Sequence, residues 1–154
     1  MGELRLIRGR VVVASDAVVR GTALVTDVAL SLWGGLDPHT GEVIDRHHPW
    51  SGQLVTGRVL VLPHGRGSCS ASGVLLEAIR AGMAPVAIVT TRVDPIVALG
   101  SILGDELYGM PVRVLVVDQN DAAGIAPGDR ITVSLDGTIS VERESEGVGD
   151  RVDA

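Results

Sequence analysis

One cysteine, Cys69, and no phenylalanine stand in this chain of 154 residues, whose aromatics are only Trp33, Trp50 and Tyr108. A lone thiol forms no intrachain disulfide, and it builds no zinc or iron–sulfur site from the thiolates of this chain alone. So few aromatics offer almost nothing for nucleobases to stack on, and they require a core of Val, Leu, Ile and Ala. Basic clusters are missing too. The formal charge is −6, the wrong sign for a nucleic-acid or anionic-membrane partner. No apolar run approaches the roughly 18–20 residues that span a bilayer, and no basic-then-apolar leader opens the sequence, so a cytosolic protein is expected. What is present, 45% hydrophobic residues over this length, suffices for one domain with a sizeable core.

The apolar patterning predicts an α/β domain over 1–142 and a polar, flexible tail over 143–154. Leu4–Val13 reads as an outer strand with a bulge or bend at Gly9. Arg20–Thr26 reads as another, after which periodicity breaks at Leu30 and a long loop runs to Gly52. Gly57–Leu62 is a strand, followed by a helix to about Arg80 that Gly82 and Pro85 close. Val86–Thr91 is β-branched and continuous, as in a strand covered on both faces, and Asp94-Pro95 supplies an N-cap and first helical residue. Ile96, Leu99, Ile102, Leu103 and Leu107 recur at helical spacing, and Val112–Asp118 is a further buried strand. These elements form a central βαβαβ unit with parallel strands and right-handed crossovers. Arg130–Leu135 and Thr138–Glu142, joined by Asp136-Gly137, make a hairpin.

The chemistry is expected in His64-Gly65-Arg66-Gly67-Ser68-Cys69-Ser70-Ala71-Ser72, between the third strand and its helix. Backbone N–H groups at a helix start, together with hydroxyls, make a pocket for an anion. Arg66 adds positive charge that lowers the cost of a serine alkoxide at Ser68. By itself such a turn is more often a tight connection or a generic phosphate site than a base. Cys69 fits either a thiol activated by the helix start or a small packed residue. His39, His47 and His48 do not make a zinc site by spacing, since neighbours on an extended chain point apart. Trp33 and Trp50 fit loop anchors or interface contacts, and Asp37 and Asp45 fit turn caps.

The words Leu30-Ser31-Leu32-Trp33-Gly34-Gly35-Leu36-Asp37-Pro38, Thr40-Gly41, Ile44-Asp45, His48-Pro49 and Gly65-Arg66-Gly67-Ser68 occur in one order. That combination resembles the small-subunit part of the aconitase X family. The resemblance implies a swivelling β/β/α domain, like the C-terminal domain of aconitases, with a mixed sheet built on the βαβαβ unit and flanked by β hairpins. It implies an iron-dependent hydro-lyase whose iron or iron–sulfur centre is held by a larger partner subunit and acts as Lewis acid on the departing hydroxyl. This chain would bind no metal and would be inactive alone. Ser68 matches the family's general base, and Arg66, Gly67, Cys69, Ser70 and Ser72 would surround the substrate. Trp33, Gly34, Gly35, Asp37 and His48 would shape the loop at the partner interface.

Cys69-Ser70-Ala71-Ser72-Gly73 after Ser68, and Asp45-Arg46-His47-His48-Pro49 upstream, resemble the bacterial branch that dehydrates cis-3-hydroxy-L-proline. The alternatives are a phosphomevalonate dehydratase small subunit and a non-catalytic swivel module that keeps the loop as an anion receptor.

Overall fold

The computed structural model describes residues 3–66 and 70–143. In chain order they form β1 (Leu4–Arg8), β2 (Arg10–Val13), β3 (Val19–Val25), β4 (Val59–Val61), α1 (Ser70–Ala81) and β5 (Ala87–Thr90), then α2 (Pro95–Tyr108), β6 (Arg113–Val116), α3 (Gln119–Ala123), β7 (Arg130–Val133) and β8 (Thr138–Glu142). All eight strands join one mixed sheet in the order β1-β8-β7-β3-β4-β5-β6-β2. Strands β3 to β6 are parallel, and the flanks pair antiparallel, so the expected βαβαβ unit is the centre of the sheet.

The expected bend at Gly9 has a larger consequence than a bulge. It divides Leu4–Val13 between the two opposite edges, β1 beside β8 and β2 beside β6, and so draws the sheet into a nearly closed barrel. At the corner the Gly9 N–H donates to Gly137 O at 3.0 Å. A Cβ on Gly9 would stand 3.0 Å from both Gly137 O and Leu115 Cδ2, so a larger residue fits this corner only if those neighbours give by a few tenths of an ångström.

Strand alternation separates two cores. Val59, Val61, Ala87, Val89 and Leu115 point into the barrel with Ile131, Ile139 and Val141. Their neighbours Leu60, Ile88 and Val114 face α1 and α2 with Leu75, Ala78 and Ile79. Helix α2 turns an unexpected side inward. Val97, Ala98, Gly100, Ser101 and Gly104 are buried, whereas Leu99, Ile102 and Leu107, part of the apolar repeat, are exposed. Packing against α1 decides this: Cβ atoms on Gly100 and Gly104 would meet Ser72 O at 3.0 Å and Ile79 Cδ1 at 2.6 Å, so only the small-residue face allows the helices to approach this closely.

Other differences are local. The last parallel strand stops at Val116, because Asp118 caps α3, a short helix with no periodic signal of its own. Arg113 is fully buried on β6 and donates to Ala17 O and Ser134 O, while burial holds its pKa below the usual arginine value. Arg143, expected to open the flexible tail, is tied down. Its N–H donates to Glu3 O, and its guanidinium donates to Gly124 O and to the buried Asp129. The rest of that tail, 144–154, lies outside the described residues.

Candidate active site

The parallel strands end together at Val25, Val61, Thr90 and Val116, and the loops that follow meet along one edge of the barrel. Ligands of parallel sheets collect at such carboxyl ends, where helix N-termini also converge. The loop expected to carry the chemistry leaves β4 here. Leu62 N–H donates to Val89 O and Thr91 N–H to Pro63 O, both at 3.1 Å, so β4 and β5 stay paired past their formal ends.

Two further ties hold the loop as it approaches α1. Arg66 N–H donates to Leu30 O at 3.0 Å, within a parallel bridge between Leu30 and Gly65. On the other side Gly65 N–H donates to Asp94 Oδ2 at 2.7 Å. The second oxygen of Asp94 accepts from Ile96 N–H and Val97 N–H and so caps α2 as expected. One buried carboxylate therefore joins the start of α2 to the loop before α1. A cavity of about 50 Å³ lies between these parts, lined by Leu30, Leu32, Gly65, Arg66, Ala71 and Asp94 among others.

Of the expected site residues, Gly67, Ser68 and Cys69 lie outside the described residues. Arg66 is exposed beside them, and Ser70 opens α1. Ser72 is placed differently from the expectation that it meets substrate: it is buried, and its hydroxyl donates to Ile96 O at 3.0 Å, so it stitches α1 to α2. The loop residues divide. Gly34 has φ +79°, and a Cβ on Gly35 would collide with Ser31 O, which fixes a tight turn that leaves Trp33 63% exposed. Asp37 and Asp45 cap turns as expected, accepting from His39 N–H and His47 N–H at 2.9 Å.

His48 is buried and organises the loop from inside. Its Nδ1 accepts from Trp50 N–H at 3.0 Å, and the two rings meet edge-on at 5.2 Å. The buried Trp50 indole donates to Val25 O at 3.2 Å, which anchors the loop to the carboxyl end of β3. His39 stands apart on the surface with its Nε2 3.1 Å from Glu77 Oε2. Among the described residues no group of three or more His, Cys, Asp or Glu could hold a metal ion.

A second, larger opening at the same edge was not expected. It is a cleft of about 650 Å³ at the barrel mouth, with Val25 and Val61 as floor, Thr26, Asp27 and Thr91 at the rim, and α3 as one wall. No motif marks it, because its lining comes from four separate segments.

A family model for the aconitase X swivel domain matches residues 6–141. The chain belongs to the aconitase X swivel domain family. It is 42% identical over 146 residues to a cis-3-hydroxy-L-proline dehydratase of Pseudomonas aeruginosa, covering 94% of this chain and 24% of that protein. It is also 42% identical over 130 residues to the phosphomevalonate dehydratase small subunit of Methanopyrus kandleri, covering 82% of this chain and 96% of that one. The chain thus spans about a quarter of one relative and nearly all of the other. Its fold is similar to a chain in the crystal structure of Thermococcus kodakaraensis aconitase X in the holo form, with a TM-score of 0.78 and 30% identity, covering 89% of this chain and 98% of that one. The swivel fold expected from the sequence is therefore the one observed. No helix among the described residues is long and apolar enough to cross a membrane.

Proposed function

We propose that this chain is the small, swivelling subunit of an aconitase X type hydro-lyase that removes water from a hydroxy acid and is active only with a large subunit. The observation that carries this reading is the family match together with the position of the Gly65-Arg66 segment, held by Leu30 and Asp94 where the loop enters α1 at the carboxyl edge. Ser68 follows on that loop and acts as general base. Arg66 and the first N–H groups of α1 favour its alkoxide by Coulomb attraction and the helix dipole.

The alkoxide takes the proton from the carbon next to the substrate carboxylate. The released C–H electron pair becomes the new C=C bond as the neighbouring C–O bond breaks. The proton held by Ser68 and the hydroxide released make up the water lost. The iron or iron–sulfur centre implied by the resemblance is assigned to the large subunit, and no step given to this chain depends on it. The setting is cytoplasmic.

We take cis-3-hydroxy-L-proline as the substrate, because the residues after Ser68 resemble that branch. The second reading is a phosphomevalonate dehydratase small subunit, favoured by the near-complete coverage of that relative. The test is anaerobic co-expression with the large subunit, offering cis-3-hydroxy-L-proline and mevalonate 5-phosphate side by side. Turnover of the first, lost in Ser68→Ala with assembly intact, is expected. Turnover of the second alone moves the protein to the other branch. Unaltered turnover in Ser68→Ala removes the base assignment, and a stable iron-loaded complex that turns over neither favours a non-catalytic anion-binding module.

A further inference from the structure

We propose that the cleft at the barrel mouth binds the cationic end of the substrate, and that Asp27 there selects a hydroxy acid carrying an ammonium group over one carrying a second anion. This rests on the reading above and adds a specificity-determining residue to it.

The cleft lies on the chain path that leads to the Gly65-Arg66 segment. Leu62 and Pro63 line the cleft, and the same backbone runs on through Gly65 and Arg66 toward Ser68. Its volume of about 650 Å³ falls in the range of small-molecule sites, and its floor is aliphatic. Asp27 is the only ionisable residue among the described residues that line it, and it makes no hydrogen bond or ion pair with another described residue.

The turn that carries Asp27 is held in place. Thr26 N–H donates to Val61 O at 3.0 Å, and Thr26 Oγ1 accepts from Val28 N–H at 3.0 Å. Asp27 is thereby kept at the rim without being spent on the fold. Asp27 is exposed at that rim, where its negative charge attracts a cation and repels an anion. The division of labour follows from charge. The side with Arg66 and the start of α1 suits the substrate carboxylate, and the side with Asp27 suits an amine. A substrate with an anion at both ends satisfies the first and is repelled by the second.

The test uses the complex with its large subunit, as wild type, Asp27→Asn and Asp27→Lys. Substrates are cis-3-hydroxy-L-proline, its carbocyclic analogue cis-2-hydroxycyclopentane-1-carboxylate, and mevalonate 5-phosphate. Expected for Asp27→Asn is a KM for hydroxyproline raised about 10- to 100-fold with a smaller change in kcat, since a charged partner is lost from binding. The KM of the analogue stays the same, and Asp27→Lys gains in kcat/KM for the phosphate ester. An unchanged KM for hydroxyproline in Asp27→Asn overturns the proposal. Calorimetric binding of L-proline, which carries both charges but no hydroxyl, is measured on the same complexes. It separates this proposal from the one it rests on: proline binding that Asp27→Asn weakens supports the Asp27 assignment even where turnover fails, and proline binding that is equal in both, or absent from wild type, refutes it.

Discussion

Asp94 and Gly65 lie 29 positions apart and share one hydrogen bond of 2.7 Å, made by the carboxylate oxygen that the α2 cap leaves over. The loop leading to Ser68 thus takes its position from the first turn of a different helix. A carboxylate can do both because it has two acceptor oxygens; serine, asparagine and threonine each offer one.

Replacing Asp94 separates the two roles. Asp94→Ala removes a cap worth about 1 kcal/mol and leaves Gly65 N–H without its partner at about 1–3 kcal/mol, so a loss of about 2–4 kcal/mol is expected in urea unfolding. Asp94→Ser regains the cap only. Amide exchange at Gly65 should be fast in both variants, and slow exchange in Asp94→Ser would show that the loop is held by other means.

The close contact of the two helices gives a coupled pair. Gly104→Ala places its Cβ 2.6 Å from Ile79 Cδ1 and should cost about 1–3 kcal/mol through overpacking, reduced by roughly 1 kcal/mol of helix propensity. Ile79→Val removes the clashing methyl. The double variant should be more stable than the two single losses predict when added, by about 1 kcal/mol. Simple additivity would place the helices farther apart than described.

Glu77 supplies a pH dependence. Hydrogen bonding to Arg80 and, after it, to His39 holds its carboxyl at about 2 against the ordinary 4.5. A depressed carboxyl stabilises the fold above the unfolded value, and this contribution is lost as pH falls from about 4.5 to about 2. Thermal melts of wild type and Glu77→Gln should therefore converge across that window. Because Glu77 is solvent-accessible the gap will be small, and parallel curves through the window would remove the assignment.

Arg143 ties the end of β8 to the α3–β7 connection through Gly124 O and Asp129. A chain stopped at residue 142 leaves the buried Asp129 without its guanidinium and Gly124 O without its donor, and should unfold about 1–3 kcal/mol more easily than one stopped at 143. Equal midpoints for the two chains would show that this tie does not stabilise the fold.

The supports around the candidate site are legible in the sequence. Asp94-Pro95 is a helix start in any context, Asp37 and Asp45 cap turns through their own nearest neighbours, and the strand-turn-helix passage around Gly65 and Arg66 is readable from residue order. Ser72 is not, because its hydroxyl answers to a carbonyl on another helix. Asp27 is not either: nothing beside it in the chain differs from an ordinary turn, and its setting is made by Val61, Pro63 and Thr91, at or just past the ends of two other strands.

By itself the sequence determined the kinds of elements and their order. Alternation of apolar residues selects strands, the 3.6-residue period selects helices, and both are properties of adjacent residues. The family words around Trp33, His48 and Arg66 are likewise local. Tertiary structure alone decided how Gly9 sends one segment to both edges of the sheet, which face of α2 turns inward, and which side chains surround the barrel mouth. Those outcomes depend on volumes and hydrogen-bond partners that are distant in the chain and become neighbours only when the core closes.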